Sequence, residues 1–196
     1  TALLPFLVLP LAGVASAEET AGDYYSPILF LLLGGAFIAL AIERTGLHRR
    51  LSLAILRMVG SGGGPGRLLF AFMISAALIS MFISNTSTAL IMMPMALAVL
   101  EAGSPSDDEG LHQDGISGAL PMGIAFAASI GGLGTIVGSP TNAISLGLLE
   151  NIAGVRISFV QWSLYGVPLV LLSIPLAAWI IARVQKVGAH PFDIAS

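Results

Sequence analysis

Cysteine is absent from this chain of 196 residues, and charged residues are scarce. Without cysteine the chain has no disulfide framework, no thiol nucleophile and no thiolate metal site. Charged residues make up only 10% of the chain, whereas a soluble domain normally carries about a quarter. With 56% hydrophobic residues and a mean hydropathy of +0.92, the chain cannot cover its surface with charge. We therefore predict an all-α integral membrane protein that crosses the cell (inner) membrane several times.

Positive charge and histidine are too sparse for two other classes of function. The formal charge of −3 argues against a nucleic-acid partner, which would require a basic face. Acid, histidine and cysteine are missing from the long apolar segments, so we expect no enzyme. The three histidines lie in polar connections far apart in the sequence, which argues against a metal cluster: His48, His112 and His190.

The uncharged stretch between Arg67 and Glu101 has a polar centre, SNTST at 84–88. At ~1.5 Å per residue, one straight helix of this length would overshoot a hydrocarbon core of ~30 Å by more than half. Polar groups at its centre would be costly if they faced lipid. We therefore predict a re-entrant hairpin over 67–101, made of two half-length helices that meet at Ser84–Thr88. Its tip is the candidate site.

A second interruption falls within 116–150. Four glycines and a proline between 131 and 140 separate two apolar halves, and they cannot sustain a regular helix. Irregular backbone at membrane depth is tolerated only where it lines a site or a cavity. We predict a broken membrane helix over 116–150, with Thr141 and Asn142 capping its second half.

The remaining segments are predicted from apolar length and helical periodicity. The chain begins in apolar sequence, and we expect a fragment that starts inside a membrane helix; a signal peptide ending near Ala15–Ala17 is the alternative. The predicted elements are the end of a membrane helix (Ala2–Ala17), an acidic loop (Glu18–Asp23), an apolar helix (Pro27–Ile42), an interfacial amphipathic helix (Glu43–Arg57), a turn (Gly60–Gly66), an acidic loop (102–115) and a spanning helix (Phe159–Ala182).

The distribution of basic residues predicts the topology. Five of the eight lie between 44 and 67, so this connection is expected to be cytoplasmic. A re-entrant hairpin returns the chain to the same side, so 101–115 is expected to be cytoplasmic as well. Arg183 and Lys186 indicate a second cytoplasmic flank.

Both interruptions suit ion and anion binding. A helix break frees carbonyl oxygens, which with Ser and Asn oxygens suit Na⁺, and it frees amides, which suit a carboxylate or sulfate. Discontinuous helices of secondary transporters combine both features. Ser80 and Ser84, spaced i, i+4, are expected on one face of the first arm. Other polar or soft side chains are expected to play structural roles: Ser75, Ser129 and Ser145 by bonding to the backbone, and Met92, Met93 and Met95 by filling core gaps.

These two motifs carry a resemblance to a known family. The Ser-Asn-Thr at 84–86, within MFISNTSTA (81–89), resembles the signature of the divalent anion/sodium symporter family, which comprises di- and tricarboxylate and sulfate transporters. The segments SIGGLGT (129–135) and GSPTN (138–142) are similar to its broken-helix loop, where a second proline commonly stands at the position of Thr141.

The resemblance implies an elevator-type homodimer built from two inverted repeats, each with a Ser-Asn-Thr hairpin. Only one Ser-Asn-Thr occurs here, so we expect the first repeat and a missing second one. By the resemblance, 1–66 forms scaffold-type helices with the interfacial helix, 67–150 a transport-type region, and 151–196 the final helix and tail. The implied sodium site is Ser80, Ser84, Asn85 and backbone around Gly138. The implied anion site is Asn85, Thr86, Ser139, Pro140 and Thr141.

The function expected from these features is sodium-coupled symport of a divalent anion, most simply a C4 dicarboxylate. The expected partners are that anion, Na⁺, membrane lipid, the second repeat and a second copy. Two alternatives stay open: a sulfate or other oxyanion permease, and a non-transporting membrane subunit that binds a partner half. A second Ser-Asn-Thr hairpin encoded downstream of Ser196 would argue against the subunit.

Overall fold

The computed structural model describes residues 4–24, 27–60, 64–103 and 115–188. Within these ranges the chain is helical and contains no strand, as predicted. Of the predicted turn Gly60–Gly66, residues 61–63 lie outside the described residues, while Gly60 ends α4 and α5 begins at Pro65. The predicted loop 102–115 lies mostly outside the described residues, and His112 and His190 lie wholly outside them. The helices are α1 (Leu4–Leu11), α2 (Ala17–Tyr24), α3 (Pro27–Arg44), α4 (Leu47–Gly60), α5 (Pro65–Ser80), α6 (Asn85–Gly103), α7 (Ile116–Gly132), α8 (Pro140–Ala153) and α9 (Phe159–Val184), with a 3-10 turn at Ile136–Gly138.

The first two elements differ from the prediction. The helix expected over Ala2–Ala17 ends at Leu11, and a turn through Gly13, at φ 68°, follows it. The acidic segment expected to be a loop forms helix α2 instead. Ser16 explains this helix: its Oγ accepts a hydrogen bond from Glu19 N (3.1 Å), while the Glu19 carboxylate accepts from Ser16 N (2.9 Å). This is a capping box, which satisfies amides at the start of a helix.

Helices α3 and α4 are separate and differ in direction by 70°, with Gly46 at φ 66° in the turn between them. An apolar helix followed by a distinct second helix is therefore confirmed. The boundary differs from the prediction, because Glu43 lies in the last turn of α3 and α4 begins at Leu47. On α4 the apolar residues Leu47 and Met58 are exposed, whereas Ser52 is fully buried. Ser52 Oγ donates to His48 O (2.9 Å) and lies 3.5 Å from Met92 Sδ.

The core is built around α5 and α7. Small buried residues of α7, Gly123, Ala127 and Gly131, recur every four residues along one face. A Cβ added to Gly123 would lie 2.6 Å from Leu69 Cδ1, and one added to Gly131 would lie 2.6 Å from Ala77 Cα. This spacing of small residues lets two helix backbones approach closely, as in membrane-helix pairs.

Helix α9 alone, among the described residues, is both long and apolar enough to cross a membrane unaided. It has 26 residues, and its most apolar stretch of 18 residues has a mean hydropathy of 2.1; the bent pair α3–α4 is also long and apolar enough if counted as one span. Ser158 and Gln161 form a capping box at its start. The helix predicted over Phe159–Ala182 is therefore confirmed as a helix, and its length and composition suit a membrane span. A Cβ on Gly166 would lie 2.6 Å from Leu133 O, so α9 packs directly on the backbone that follows α7.

Candidate functional site

The first interruption lies slightly earlier than predicted. Helix α5 ends at Ser80 and α6 begins at Asn85, so the break covers 81–84 rather than 84–88. Ser84 Oγ accepts a hydrogen bond from Ser87 N (3.2 Å), which is the bond of a helix N-cap. The polar segment Ser84–Thr88 is therefore the cap and first turn of α6. Asn85 and Thr86 thus stand at the amino end of the second helix.

The expectation that Ser80 and Ser84 share one face of a helix is wrong. Ser80 is the last residue of α5 and fully buried, whereas Ser84 lies beyond the helix and is exposed. The helical i, i+4 rule does not apply because capping of α6 by Ser84 ends the first arm before that position.

The second interruption is confirmed as a break between two helices, but the cap of the second helix differs from the prediction. Helix α7 ends at Gly132, and the N-cap of α8 is Ser139, which makes no side-chain capping bond. The predicted capping by Thr141 and Asn142 is therefore wrong. Instead, the buried Asn142 donates through Nδ2 to Gly132 O and Thr135 O, both at 2.8 Å. One amide group thus spans the break and holds two backbone carbonyls.

Thr135 joins the two interruptions to each other. Its buried hydroxyl donates to Met81 O, in the break after α5, and accepts from Gly138 N at 3.1 Å. A buried carbonyl and a buried amide are both satisfied in this way. Sequence reasoning assigned no role to Thr135, although a lone hydroxyl among glycines at a helix break was a usable signal.

A group of oxygen atoms lies beside the hydrogen bond between Thr135 and Met81. Ser80 Oγ lies 2.6 Å from Asn85 Oδ1 and 2.7 Å from Ala128 O. A hydroxyl carries one hydrogen and can donate to only one of these oxygens at a time. The amide of Asn85 presents its oxygen to this group, so the three atoms together have more lone pairs than hydrogens. Ala128 O was not anticipated, because its contribution depends on how α7 packs against α5.

The backbone at Gly132 and Gly138 also lies close to the oxygens of Ser80 and Asn85. A Cβ on Gly132 would lie 2.5 Å from Asn85 Oδ1, and one on Gly138 would lie 2.6 Å from Gly132 O and 2.9 Å from Ser80 O. Among the described residues, Ser80 O accepts no hydrogen bond. The structure therefore brings together Ser80, Asn85 and Gly138, which are three of the four positions predicted for sodium.

The amino ends of α6 and α8 open on one cavity of about 400 Å³, lined by Ser84, Ser87, Gly138 and Pro140 together with residues of α3. The first residues of the two helices include Thr86 and Thr141, which are exposed, and Ser139, which is half-buried. In the described part of the chain, the backbone amides of Asn85, Thr86 and Thr141 have no hydrogen-bond acceptor. These amides lie at the positive ends of helix dipoles and suit an anion.

The predicted structural roles of three serines are confirmed. Each hydroxyl donates to the carbonyl four residues earlier: Ser75 to Ala71 O (2.9 Å), Ser129 to Ala125 O (3.1 Å) and Ser145 to Thr141 O (2.9 Å). Met92 is fully buried in the core and Met95 packs against it, as expected for residues that fill core gaps, whereas Met93 is half-buried and is not part of this core.

Comparison with known proteins adds a family and named relatives. A family described as CitMHS, citrate transporter, matches residues 1–191. The chain is 39% identical over 186 residues to the "Sodium-dependent dicarboxylate transporter SdcS" of Staphylococcus saprophyticus. The matched region covers 93% of this chain and 35% of that protein. The protein of the same name from Staphylococcus aureus is 34% identical over 186 residues, with the same coverage.

This chain therefore spans about a third of the length of the curated relatives it matches. The matched family and these relatives are transporters rather than enzymes, in agreement with the expectation from the sequence.

Proposed function

This chain belongs to the citrate transporter family, and from that membership we propose that it takes part in sodium-coupled symport of a divalent anion, most simply a C4 dicarboxylate. The observation that carries the proposal is the joining of two helix breaks by Thr135. Oxygens gather beside this contact, and free amides stand at the amino ends of α6 and α8. Discontinuous helices with these two features are typical of ion-coupled transport sites. The named sodium dependence and dicarboxylate substrate of the relatives support the same function.

The proposed sodium site takes Ser80 Oγ and Asn85 Oδ1 as its central ligands, because these oxygens share a single hydrogen. Backbone around Gly138 and the cap residue Ser84 complete the set from the two breaks. No carboxylate contacts this group in the described structure, so the charge of Na⁺ is balanced by helix dipoles and by a neighbouring anion.

The proposed anion site takes the amino ends of α6 and α8, with Asn85, Thr86, Ser139, Pro140 and Thr141. No Lys or Arg lines the cavity on which these helices open. A dicarboxylate there depends on helix dipoles and on the bound Na⁺ for compensation. Each ligand then raises the affinity of the other by the same factor, as linkage requires.

The remaining architecture is part of the same proposal. Helices α5 and α6 form a re-entrant hairpin, the region 67–150 moves against the scaffold-type helices of 1–66 in an elevator, and 151–196 supplies a final span. A second repeat and a second copy complete the transporter. The connections 44–67 and 101–115 face the cytoplasm.

Uptake of labelled succinate by cells that express the complete gene tests this function. We expect uptake in Na⁺ medium and none in K⁺ medium. Replacement of the site residue by Asn85→Ala abolishes it, while the control variant Met93→Leu, on the same helix, retains it. Equal uptake by both variants would contradict the site. Excess sulfate is expected to leave succinate uptake unchanged, and strong inhibition would favour an oxyanion permease.

A further inference from the structure

The cavity at the amino ends of α6 and α8 continues along α3. Its lining on this helix extends from Leu32 and Gly35, beside the break, to Glu43 near the helix end. Eight residues separate Gly35 from Glu43, which corresponds to ~12 Å of helix rise. The cavity is therefore an open groove, called the passage below, that extends from the contact of the two breaks to the last turn of α3.

Glu43 is the one charged side chain among the residues that line this passage. It is exposed, and within the described residues its carboxylate has no hydrogen bond and no ion pair. Arg44 follows directly in the sequence but is absent from the lining. The lining of the passage therefore carries one negative charge and no positive charge, although the site beyond it is proposed to bind an anion.

We propose that this passage is a cation path and that Glu43 is an outer binding point for a monovalent cation. A carboxylate at the entrance raises the local concentration of cations and lowers that of anions. The dicarboxylate must then reach the amino ends of α6 and α8 from another direction. The identification of the cation as Na⁺ rests on the proposed function, whereas the charge selectivity of the passage does not.

The absence of cysteine from the chain makes the passage directly measurable. Ala36 is exposed and lines the passage, so Ala36→Cys places a small thiol beyond Glu43 as seen from the entrance. Its rate of reaction is measured with a cationic (trimethylammonium) and an anionic (sulfonate) methanethiosulfonate. The protein is purified in detergent as its gene encodes it, with any cysteine outside these 196 residues replaced by serine.

The ratio of the cationic to the anionic rate is divided by the same ratio at a control thiol, Asn151→Cys, which is exposed on α8 away from the passage. One charge a few ångströms from the path, at an effective dielectric constant between those of protein and water, should give a normalised ratio of about tenfold. We expect Glu43→Gln to reduce this ratio to about one. Glu43→Asp, which keeps the charge, should preserve it.

A normalised ratio that is the same with Glu43 and with Glu43→Gln would overturn the proposal. Absence of reaction with both reagents at position 36 would overturn it too, because the passage would then be closed. The labelling requires neither succinate nor transport. Failure of the proposed function would therefore appear in the uptake assay and leave this ratio unchanged.

Discussion

Replacing the hydroxyl that joins the two helix breaks should destabilise the protein strongly. Thr135→Val keeps the shape of the side chain but removes the hydroxyl that donates to Met81 O and accepts from Gly138 N. Both groups are buried, and each unsatisfied buried polar group costs about 1–3 kcal/mol. Gly138 N retains a longer contact of 3.4 Å with Thr135 O, so we expect a total loss of about 2–4 kcal/mol.

For a chain of this size, 1 kcal/mol corresponds to a change in Tm of about 2–4 °C. Thermal unfolding of Thr135→Val should therefore have its midpoint lower by about 5–15 °C. Tryptophan fluorescence is a suitable signal, because Trp162 donates through Nε1 to Leu133 O (2.9 Å), next to the second break. The fluorescence of Trp162 should therefore report the loss of the Thr135 hydrogen bonds directly.

Thr135→Ser is the matched control, since it retains the hydroxyl and removes one methyl group. Burial of a methyl-sized group contributes about 1 kcal/mol, so this variant should lose much less stability than Thr135→Val. A Tm for Thr135→Val equal to or above that of Thr135→Ser would refute the structural role of the hydroxyl.

Two further predictions concern packing and pH. Gly131→Ala places a Cβ against the backbone of Ala77 and should lower stability by about 1–3 kcal/mol. Gly34→Ala meets no atom within 4 Å and should be neutral in the same thermal assay; a similar loss in both variants would contradict the packing. Hydrogen bonds to the Glu19 carboxylate from Ser16 N, and then from its hydroxyl, lower the pKa of Glu19. Their stabilising effect on α2 is therefore present above the ordinary pKa of Glu and is lost as pH falls through the lowered value. An NMR titration should show the pKa of Glu19 rising in Ser16→Ala, and an unchanged pKa would contradict the capping box.

Local patterns predicted the helices and the existence of both breaks. The first break followed from the length of the uncharged stretch and its polar centre, and the second from a run of four glycines and a proline that cannot sustain a regular helix. They also contained the signal for α2, since Ser16 and Glu19 have capping-box spacing, but the acidic composition of the segment was interpreted as a loop. The contact of Thr135 with Met81 could not be predicted from local patterns. Thr135 and Met81 are 54 residues apart, and their contact depends on how α5 packs against α7.

In the candidate site, too, some features follow from the sequence and others from the packing of the helices. Ser80, Asn85 and Gly138 were predicted through a family resemblance, and the structure brings them together. Their exact partners, including Ala128 O, follow from helix packing and not from residue type. Asn142 was expected to cap α8 because Asn is a common capping residue. Its amide is instead used across the break, where two carbonyls need donors.

Calorimetric titration of succinate into the purified protein, as its gene encodes it, tests the coupled site most directly. The titration is made in Na⁺ and repeated in K⁺ at equal ionic strength. We predict saturable binding in Na⁺ and none in K⁺, with succinate raising the affinity for Na⁺ by the factor that Na⁺ produces for succinate. Binding of equal strength in the two salts, or no binding in either, would contradict the account.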